Sequence, residues 1–355
     1  MRSRLLYFCA VAIILASCSV NSHLVGQKSF PGKEYRRLLK TLDWGTDTCY
    51  VYGHKTPDVD ALTSSLACAR LMRSMGYNCK AKVSSPVNRE SAYIAGLFGF
   101  ELPELKTSVQ PHTRLILTDH TDYAQCVDGA REAIILQKID HHAEGDILDA
   151  SIPYVRREMV GSTNTIIFEM YRDLGIAIDD DAARIMLAGI ISDTRNLSKS
   201  TTQKNDSTAW MVLTSQLGIS ADSIAKIDKA MKDAANDFTG MTDTEIFLSD
   251  YKDYEIGRHL IGIGSLDITQ VETDTFINRM LAVMPEVLTR MGRQMVFAKI
   301  DVQKVDGTYF IYYGEGAKAL AEAVFGASVR EGVTFTEKEL SRKQIVPLLN
   351  QVLLK

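Results

Sequence analysis

Thr48-Cys49-Tyr50-Val51-Tyr52-Gly53-His54-Lys55-Thr56-Pro57-Asp58-Val59-Asp60-Ala61 runs from an apolar strand through a glycine into a loop that carries one histidine and two carboxylates. The strand reading covers residues 48–52, and the pattern over residues 60–75 predicts the helix behind it. The same rhythm returns downstream, with strands predicted over 114–117 and 133–139 and a helix over 122–130 between them. Strand and helix in alternation indicate an α/β domain with a largely parallel sheet. Open sheets of that kind hold ligands in the crevice beyond the carboxyl ends of their strands.

Two further strand ends repeat the chemistry of the first. Leu115-Ile116-Leu117-Thr118-Asp119-His120 and Leu136-Gln137-Lys138-Ile139-Asp140-His141-His142 each finish an apolar run in Asp-His. Burying such groups beside a hydrophobic strand is costly unless they are paired or ligate a metal, so the repetition points to one shared site. Carboxylate oxygens and neutral imidazole nitrogens suit a hard or borderline divalent cation. Ile190-Ile191-Ser192-Asp193-Thr194 sets one more carboxylate after an apolar run, where by itself Asp193 reads as a helix or turn cap before it reads as a ligand.

With 355 residues, of which 46% are hydrophobic, the chain is long enough for two domains. Helical periods cover 162–174, 181–191 and 208–217, and the small, polar stretch 233–244 reads as the connection between domains. Beyond it, strands over 260–263, 295–302 and 308–313 mix with helices over 273–291, 318–325 and 346–354, which predicts a smaller α/β domain. The expected division is therefore residues 45–235 for the metal-binding domain, 236–245 for the linker and 246–355 for a substrate-binding domain, with the active site in the cleft between them. A formal charge of −4 and a pI near 6.0 supply no global basic field, so no nucleic-acid partner is expected and affinity for anions must be local.

Arg2 and Arg4 precede an apolar run over 5–15 that ends in Leu15-Ala16-Ser17-Cys18. This run is short for a membrane span and suits an export signal. Its ending resembles the bacterial lipobox, which implies cleavage after residue 17, lipidation of Cys18 and an exported protein anchored to a bacterial membrane. Residues 1–18 are then signal and 19–44 a tether. Of the six cysteines, Cys49, Cys68, Cys79 and Cys126 remain for the folded part, as buried thiols or as disulfide partners.

The motifs resemble, in order, those of the DHH phosphoesterases. The resemblance is carried by His54-x-x-x-Asp58-x-Asp60, by Asp119-His120, by Asp140-His141-His142, by Val160-Gly161-Ser162-Thr163-Asn164-Thr165 and by Ser192-Asp193. Ser341-Arg342-Lys343-Gln344-Ile345-Val346-Pro347 is similar to the second domain of family II inorganic pyrophosphatases, exopolyphosphatases and prune proteins. The resemblance implies two divalent metals, manganese first with cobalt or zinc as alternatives, and magnesium arriving with the substrate. His54, Asp58 and Asp119 would bind one metal, and Asp60, Asp119, His141 and Asp193 the other, with a water between them as nucleophile. His142 would act as proton donor or electrostatic stabiliser with Asp140 orienting it. Arg342 and Lys343 would close over the phosphates.

The implied reaction is hydrolysis of inorganic pyrophosphate to two phosphates, with pyrophosphate or a short polyphosphate as the small anionic partner. An exopolyphosphatase or phosphodiesterase, and a catalytically inactive binding lipoprotein, are the alternatives, and the sequence leaves homodimer formation open. Thr56 and Thr121 stand where family II pyrophosphatases carry asparagine, and Asp193-Thr194-Arg195-Asn196-Leu197 looks more like the exopolyphosphatase branch. Gly240 or Met241 falls where those enzymes have a lysine that grips substrate. Lys199, Lys229 and Lys232 are the candidates to replace it.

Overall fold

In the computed structural model, which describes residues 32–268, 273–302 and 305–354, the first half of the chain builds one parallel sheet. Its elements are α1 (Gly32–Leu39), β1 (Cys49–Tyr52), α2 (Val59–Ser74), β2 (Cys79–Lys82), α3 (Arg89–Phe98), β3 (Arg114–Thr118), β4 (Ile134–Asp140), β5 (Tyr154–Arg157), α4 (Thr163–Leu174), α5 (Asp180–Thr194), α6 (Lys204–Leu217) and α7 (Ala221–Ala235). The strand order is β2-β1-β3-β4-β5, all parallel, so the carboxyl ends of β1, β3 and β4 lie side by side along one edge. Val51, Ile116, Leu136 and Ile139 pack under α2, α4 and α5 in a continuous apolar core. Covering helices make parallel strands read as near-continuous hydrophobic runs, which is why these three were legible.

The second half comprises α8 (Asp243–Leu248), β6 (Tyr251–Ile256), β7 (His259–Ile268), α9 (Thr273–Met291), β8 (Met295–Val302), β9 (Thr308–Gly314), α10 (Ala317–Phe325), β10 (Val333–Thr336) and α11 (Arg342–Leu353). The sheet order is β10-β9-β8-β7-β6, mixed, because α9 carries the chain over from β7 to a parallel β8 while the other pairs are antiparallel. Phe276, Met280 and Met284 of α9 bury one face, and Leu320, Ile345 and Leu349 of α10 and α11 bury the other. Two α/β domains, the first on a parallel sheet, are what the alternation of elements predicts; that the second sheet is mixed comes from the structure. No helix among the described residues is long and apolar enough to cross a membrane.

Three expectations need correction. The helix predicted over 122–130 is two short 3₁₀ turns, Tyr123–Gln125 and Ala130–Glu132. Cys126 is extended at φ −75°, ψ 163°, the Gln125 carbonyl accepts from the Lys55 amide at 2.7 Å, and Gly129 is left-handed at φ 86°, so an α-helical ladder cannot run through the segment. The tether expected over 19–44 contains α1, whose Tyr35 and Leu39 are buried; Tyr35 donates to Gln137 Oε1 at 2.5 Å and Arg36 to the Leu174 carbonyl at 2.7 Å. The linker expected over 236–245 runs into α8, whose Thr242 cap and Glu245 form a reciprocal capping box. The four cysteines of the folded part are free and buried. The signal segment, Cys18 and the tether up to residue 31 lie outside the described residues.

Because Leu39 is fully buried, Leu39→Ala should lower unfolding free energy by about 2–5 kcal/mol in urea titrations. A tether residue would change it by less than ~0.5 kcal/mol.

Candidate active site

After β1 the chain turns at Gly53, where a Cβ would lie 2.4 Å from the Ala61 carbonyl oxygen, so only glycine admits the close passage of loop over helix. His54 follows, buried, with Nε2 3.1 Å from Asp58 Oδ2 and 3.6 Å from Asp119 Oδ2. Asp58 spends Oδ1 on capping α2, accepting from the Ala61 amide at 2.9 Å, which leaves Oδ2 facing His54. One carboxylate thus starts the helix and serves the site.

Asp119 follows β3 at φ 61°, a left-handed conformation that costs about 1–2 kcal/mol for a residue with a Cβ. Its amide donates to the Ile139 carbonyl at 3.0 Å and its Oδ1 accepts from Thr163 Oγ1 at 3.0 Å, so surrounding structure holds the strain in place. The turn aims Oδ2 at His54 and Oδ1 at His141 Nε2, 3.1 Å away. His141 is oriented by Nδ1 against the Val160 carbonyl at 3.1 Å; donation there leaves the Nε2 lone pair for the site. Nε2 also lies 3.2 Å from Asp193 Oδ2 and 3.8 Å from Asp60 Oδ2.

The start of α4 grips Asp60. Its carboxylate accepts from Ser162 Oγ at 2.5 Å, from Asn164 Nδ2 at 2.7 Å and from the Thr163 amide at 2.8 Å. These donors and the helix N-terminus stabilise negative charge. Val160-Gly161-Ser162-Thr163-Asn164-Thr165 therefore orients one carboxylate and, through Thr163, a second.

Two constellations result, His54–Asp58–Asp119 and Asp60–His141–Asp193, and in each the donor atoms lie within 4.8 Å of one another. Asp119 also groups with His141 and His142 at that spacing, so it stands between the two halves. His142 Nδ1 is 2.8 Å from Asp140 Oδ1. All six residues expected as ligands meet, together with Asp140 and His142.

Cations reach the cluster from both domains. Lys343, in the first turn of α11, donates to His141 Nε2 at 2.8 Å and to Asp193 Oδ2 at 3.0 Å. Lys199 donates to Asp193 Oδ1 at 3.0 Å. Lys252, on β6, lies 3.2 Å from Asp58 Oδ2 and is buried.

Burial, then the neighbouring Asp119 and Asp193, push the Asp60 carboxyl well up; burial and Asp58 do the same to Asp119. Burial also works against Asp193 and Asp58, yet Lys199 with Lys343 holds the first well below the usual range, and Lys252 with His54 the second. Burial, aided by Lys252 at His54 and by Lys343 at His141, keeps both imidazoles neutral and available as donors.

The DHH family N-terminal domain matches residues 48–190 and the DHHA2 domain matches residues 229–352. A Methanothrix thermoacetophila protein named manganese-dependent inorganic pyrophosphatase is 31% identical over 308 residues, 85% of this chain and 97% of that one. A Clostridium acetobutylicum protein named probable manganese-dependent inorganic pyrophosphatase is 30% identical over 86% of this chain and 98% of its own. A crystal structure from Methanococcus jannaschii, assigned to the family II inorganic pyrophosphatases, superposes with TM-score 0.77 at 26% identity, covering 87% of this chain and all of that one. The chain belongs to the DHH phosphoesterase family.

Its eponymous triplet, Asp140-His141-His142, divides its labour here: His141 faces the cluster and Asp140 holds His142. His120, second residue of the preceding Asp-His pair, turns away, with Nδ1 on the Thr118 carbonyl at 2.8 Å and Nε2 beside Cys126 Sγ at 3.2 Å. The donor set fits two divalent cations. It is all carboxylate and imidazole, and the crowded acids repel one another until a cation neutralises them.

Arg342, beside Lys343 at the start of α11, pairs with the Asp250 carboxylate and donates to the Asp250 carbonyl at 2.8 Å. Lys229 and Lys232 pair with Asp233 and Asp228 on exposed turns of α7, away from the cluster. The lysine that the structure does bring to the cluster after Gly240 is Lys252, delivered by β6 after α8 has brought the chain back. The only sequence signal for it was a lysine in the alternating run Tyr251-Lys252-Asp253-Tyr254, which looks like an ordinary exposed strand position. Glu90 of α3 was missed as well; it accepts from Ser192 Oγ at 2.8 Å, beside Asp193, and burial pushes its carboxyl up to about 8.

Proposed function

We propose that this chain hydrolyses inorganic pyrophosphate to two phosphates with two divalent cations, manganese first, held by His54, Asp58 and Asp119 and by Asp60, Asp119, His141 and Asp193. The observation that carries it is the pair of His/Asp constellations meeting at Asp119 and faced by Lys252 and Lys343 from the second domain. The 30–31% identity to proteins named for that reaction supports the substrate. Bound divalent ions supply the charge neutralisation and water activation that let water attack phosphorus near neutral pH.

The chain's own residues do the rest. Lys252 and Lys343 shift from carboxylates to phosphate oxygens when substrate enters, and Lys199 adds a third charge beside Asp193. Two cationic side chains from one domain and the ligands from the other place an anion in the cleft between them. His142 is held neutral, pushed down to about 3 by burial, with Lys343 adding to the effect and Asp140 opposing it. An approaching polyanion raises that value, so the imidazole can take a proton at Nε2 and pass it to the departing phosphate. Asp140 fixes its ring through Nδ1. The Leu15-Ala16-Ser17-Cys18 ending supports an exported, lipid-anchored site of action, where the reaction would release phosphate for uptake.

Initial rates for the purified protein with pyrophosphate, tripolyphosphate and cyclic or oligonucleotide phosphodiesters, each with manganese, cobalt and magnesium, test this. Pyrophosphate with manganese should be fastest by at least tenfold. Equal or faster turnover of tripolyphosphate or of a diester would move the chain to the exopolyphosphatase or phosphodiesterase reading, and no turnover of any would favour the inactive binding protein.

A further inference from the structure

We infer that Arg195 is a positioning residue that latches the two domains closed, fastening the Asp193 loop to the segment that carries Lys343. It sits two residues after Asp193, as the left-handed cap that ends α5. Its guanidinium crosses to the second domain, donating from Nη2 to Asp267 Oδ2 at 2.7 Å and from Nη1 to Glu339 Oε1 at 2.8 Å. Asp267 lies near the end of β7. Glu339 lies two residues before Ser341, the cap of α11, whose first turn holds Lys343.

The backbone that aims this side chain is unusual. Arg195, Asn196 and Leu197 are three consecutive residues with a Cβ at φ 47°, 49° and 68°. That region is disfavoured for residues with a Cβ, least for Asn, and a run of three persists only where the surroundings hold it. The Asn196 amide donates to the Ile191 carbonyl at 2.8 Å, Trp210 Nε1 to Asn196 Oδ1 at 3.0 Å, and the Leu197 amide to Thr194 Oγ1 at 2.9 Å. The same turn sends Lys199 back to Asp193 and Arg195 outward. One strained loop thus addresses a ligand of the proposed centre and the facing domain together.

Lys343 meets Asp193 and His141 only while the domains are together, so an element that biases closure sets how often the phosphate clamp is assembled. Arg195 and its two partners are partly exposed, at 33%, 44% and 64% of their side-chain surface, which keeps each ion pair weak and reversible, as a latch that opens every turnover requires. The role as a latch for turnover rests on the pyrophosphatase reading; the interdomain fastening does not.

The manganese-loaded protein and its Arg195→Gln, Glu339→Gln and doubly substituted variants test the inference. Arg195→Gln should raise KM for pyrophosphate about three- to tenfold with kcat within about twofold, Glu339→Gln should raise it less, and the double variant should match Arg195→Gln, because both changes break one fastening. Manganese affinity should stay unchanged in all three; a loss would mean that the turn had collapsed onto Asp193 and would overturn the latch. Unchanged KM in Arg195→Gln, or fold-changes that multiply, would overturn it too. Small-angle scattering supplies a readout without substrate: Arg195→Gln should have a larger radius of gyration than the parent at low salt, and the parent should approach it near 1 M salt. If the parent hydrolyses no pyrophosphate, the functional reading fails, while equal radii at low salt would sink the latch independently.

Discussion

Asp119→Asn should remove manganese binding and the proposed pyrophosphate hydrolysis together, with activity falling roughly a thousandfold or more, beyond the ~10–100-fold expected when only an orienting neighbour of a ligand is lost. Asn tolerates the left-handed backbone that residue 119 adopts, so the fold should survive and the loss can be assigned to the carboxylate. Both Asp119 oxygens are engaged, one toward His54 and one toward His141, and neither half of the cluster is complete without them. The metal-free protein should respond in the opposite sense. Burial and neighbouring acids raise the Asp119 carboxyl, so its contribution to stability is full below the ordinary carboxylate range and is lost as pH rises through the folded value. At pH 7–8 in chelator, Asp119→Asn should therefore melt above the metal-free parent, whereas added manganese should lift only the parent. Isothermal titration with manganese and thermal melts with and without chelator check both parts. Retained activity would remove Asp119 from the centre.

Lys252→Met should separate substrate from metal. Its ammonium lies against Asp58 in the structure and is the β6 contribution to the cleft. A hydrogen bond to a charged group contributes about 1.5–3 kcal/mol, so kcat/KM for pyrophosphate should fall about 10–150-fold. Manganese should bind the variant at least as tightly as the parent, because a competing cation has left Asp58 and that carboxylate is freed for the ion. Lower manganese affinity, or undiminished kcat/KM, would show that Lys252 serves the fold rather than the substrate. Together the two substitutions distinguish a ligand, whose loss takes metal and activity, from a clamp, whose loss takes activity alone.

The first domain was legible in the chain because its determinants are local. His54, Asp119 and His141 each stand at the end of an apolar run, and a parallel sheet covered on both faces preserves those runs as unbroken hydrophobic segments. Asp58 and Asp60 could be read because one loop, closed by Gly53, carries them with His54. The failures also have causes. The 122–130 segment reads as helical, but the extended backbone at Cys126 and the left-handed Gly129 cut it into 3₁₀ pieces. Residues 32–39 resemble a polar tether until Tyr35 and Leu39 find the core beneath them. That Arg342 pairs with Asp250, ninety-odd positions away in sequence, was not legible either.

The sequence by itself determined the donor types, their strand-end positions and the two-layer α/β design, because hydrophobic period, turn glycines and strand-terminal Asp-His pairs are read within a few residues. Only the tertiary structure decided which atoms Lys343 meets, that Lys252 joins it at the cluster, and that Arg195 reaches across to Asp267 and Glu339. Those pairings join residues 72 to 202 positions apart across a cleft, and no local pattern encodes which of several exposed lysines and arginines such a cleft will face.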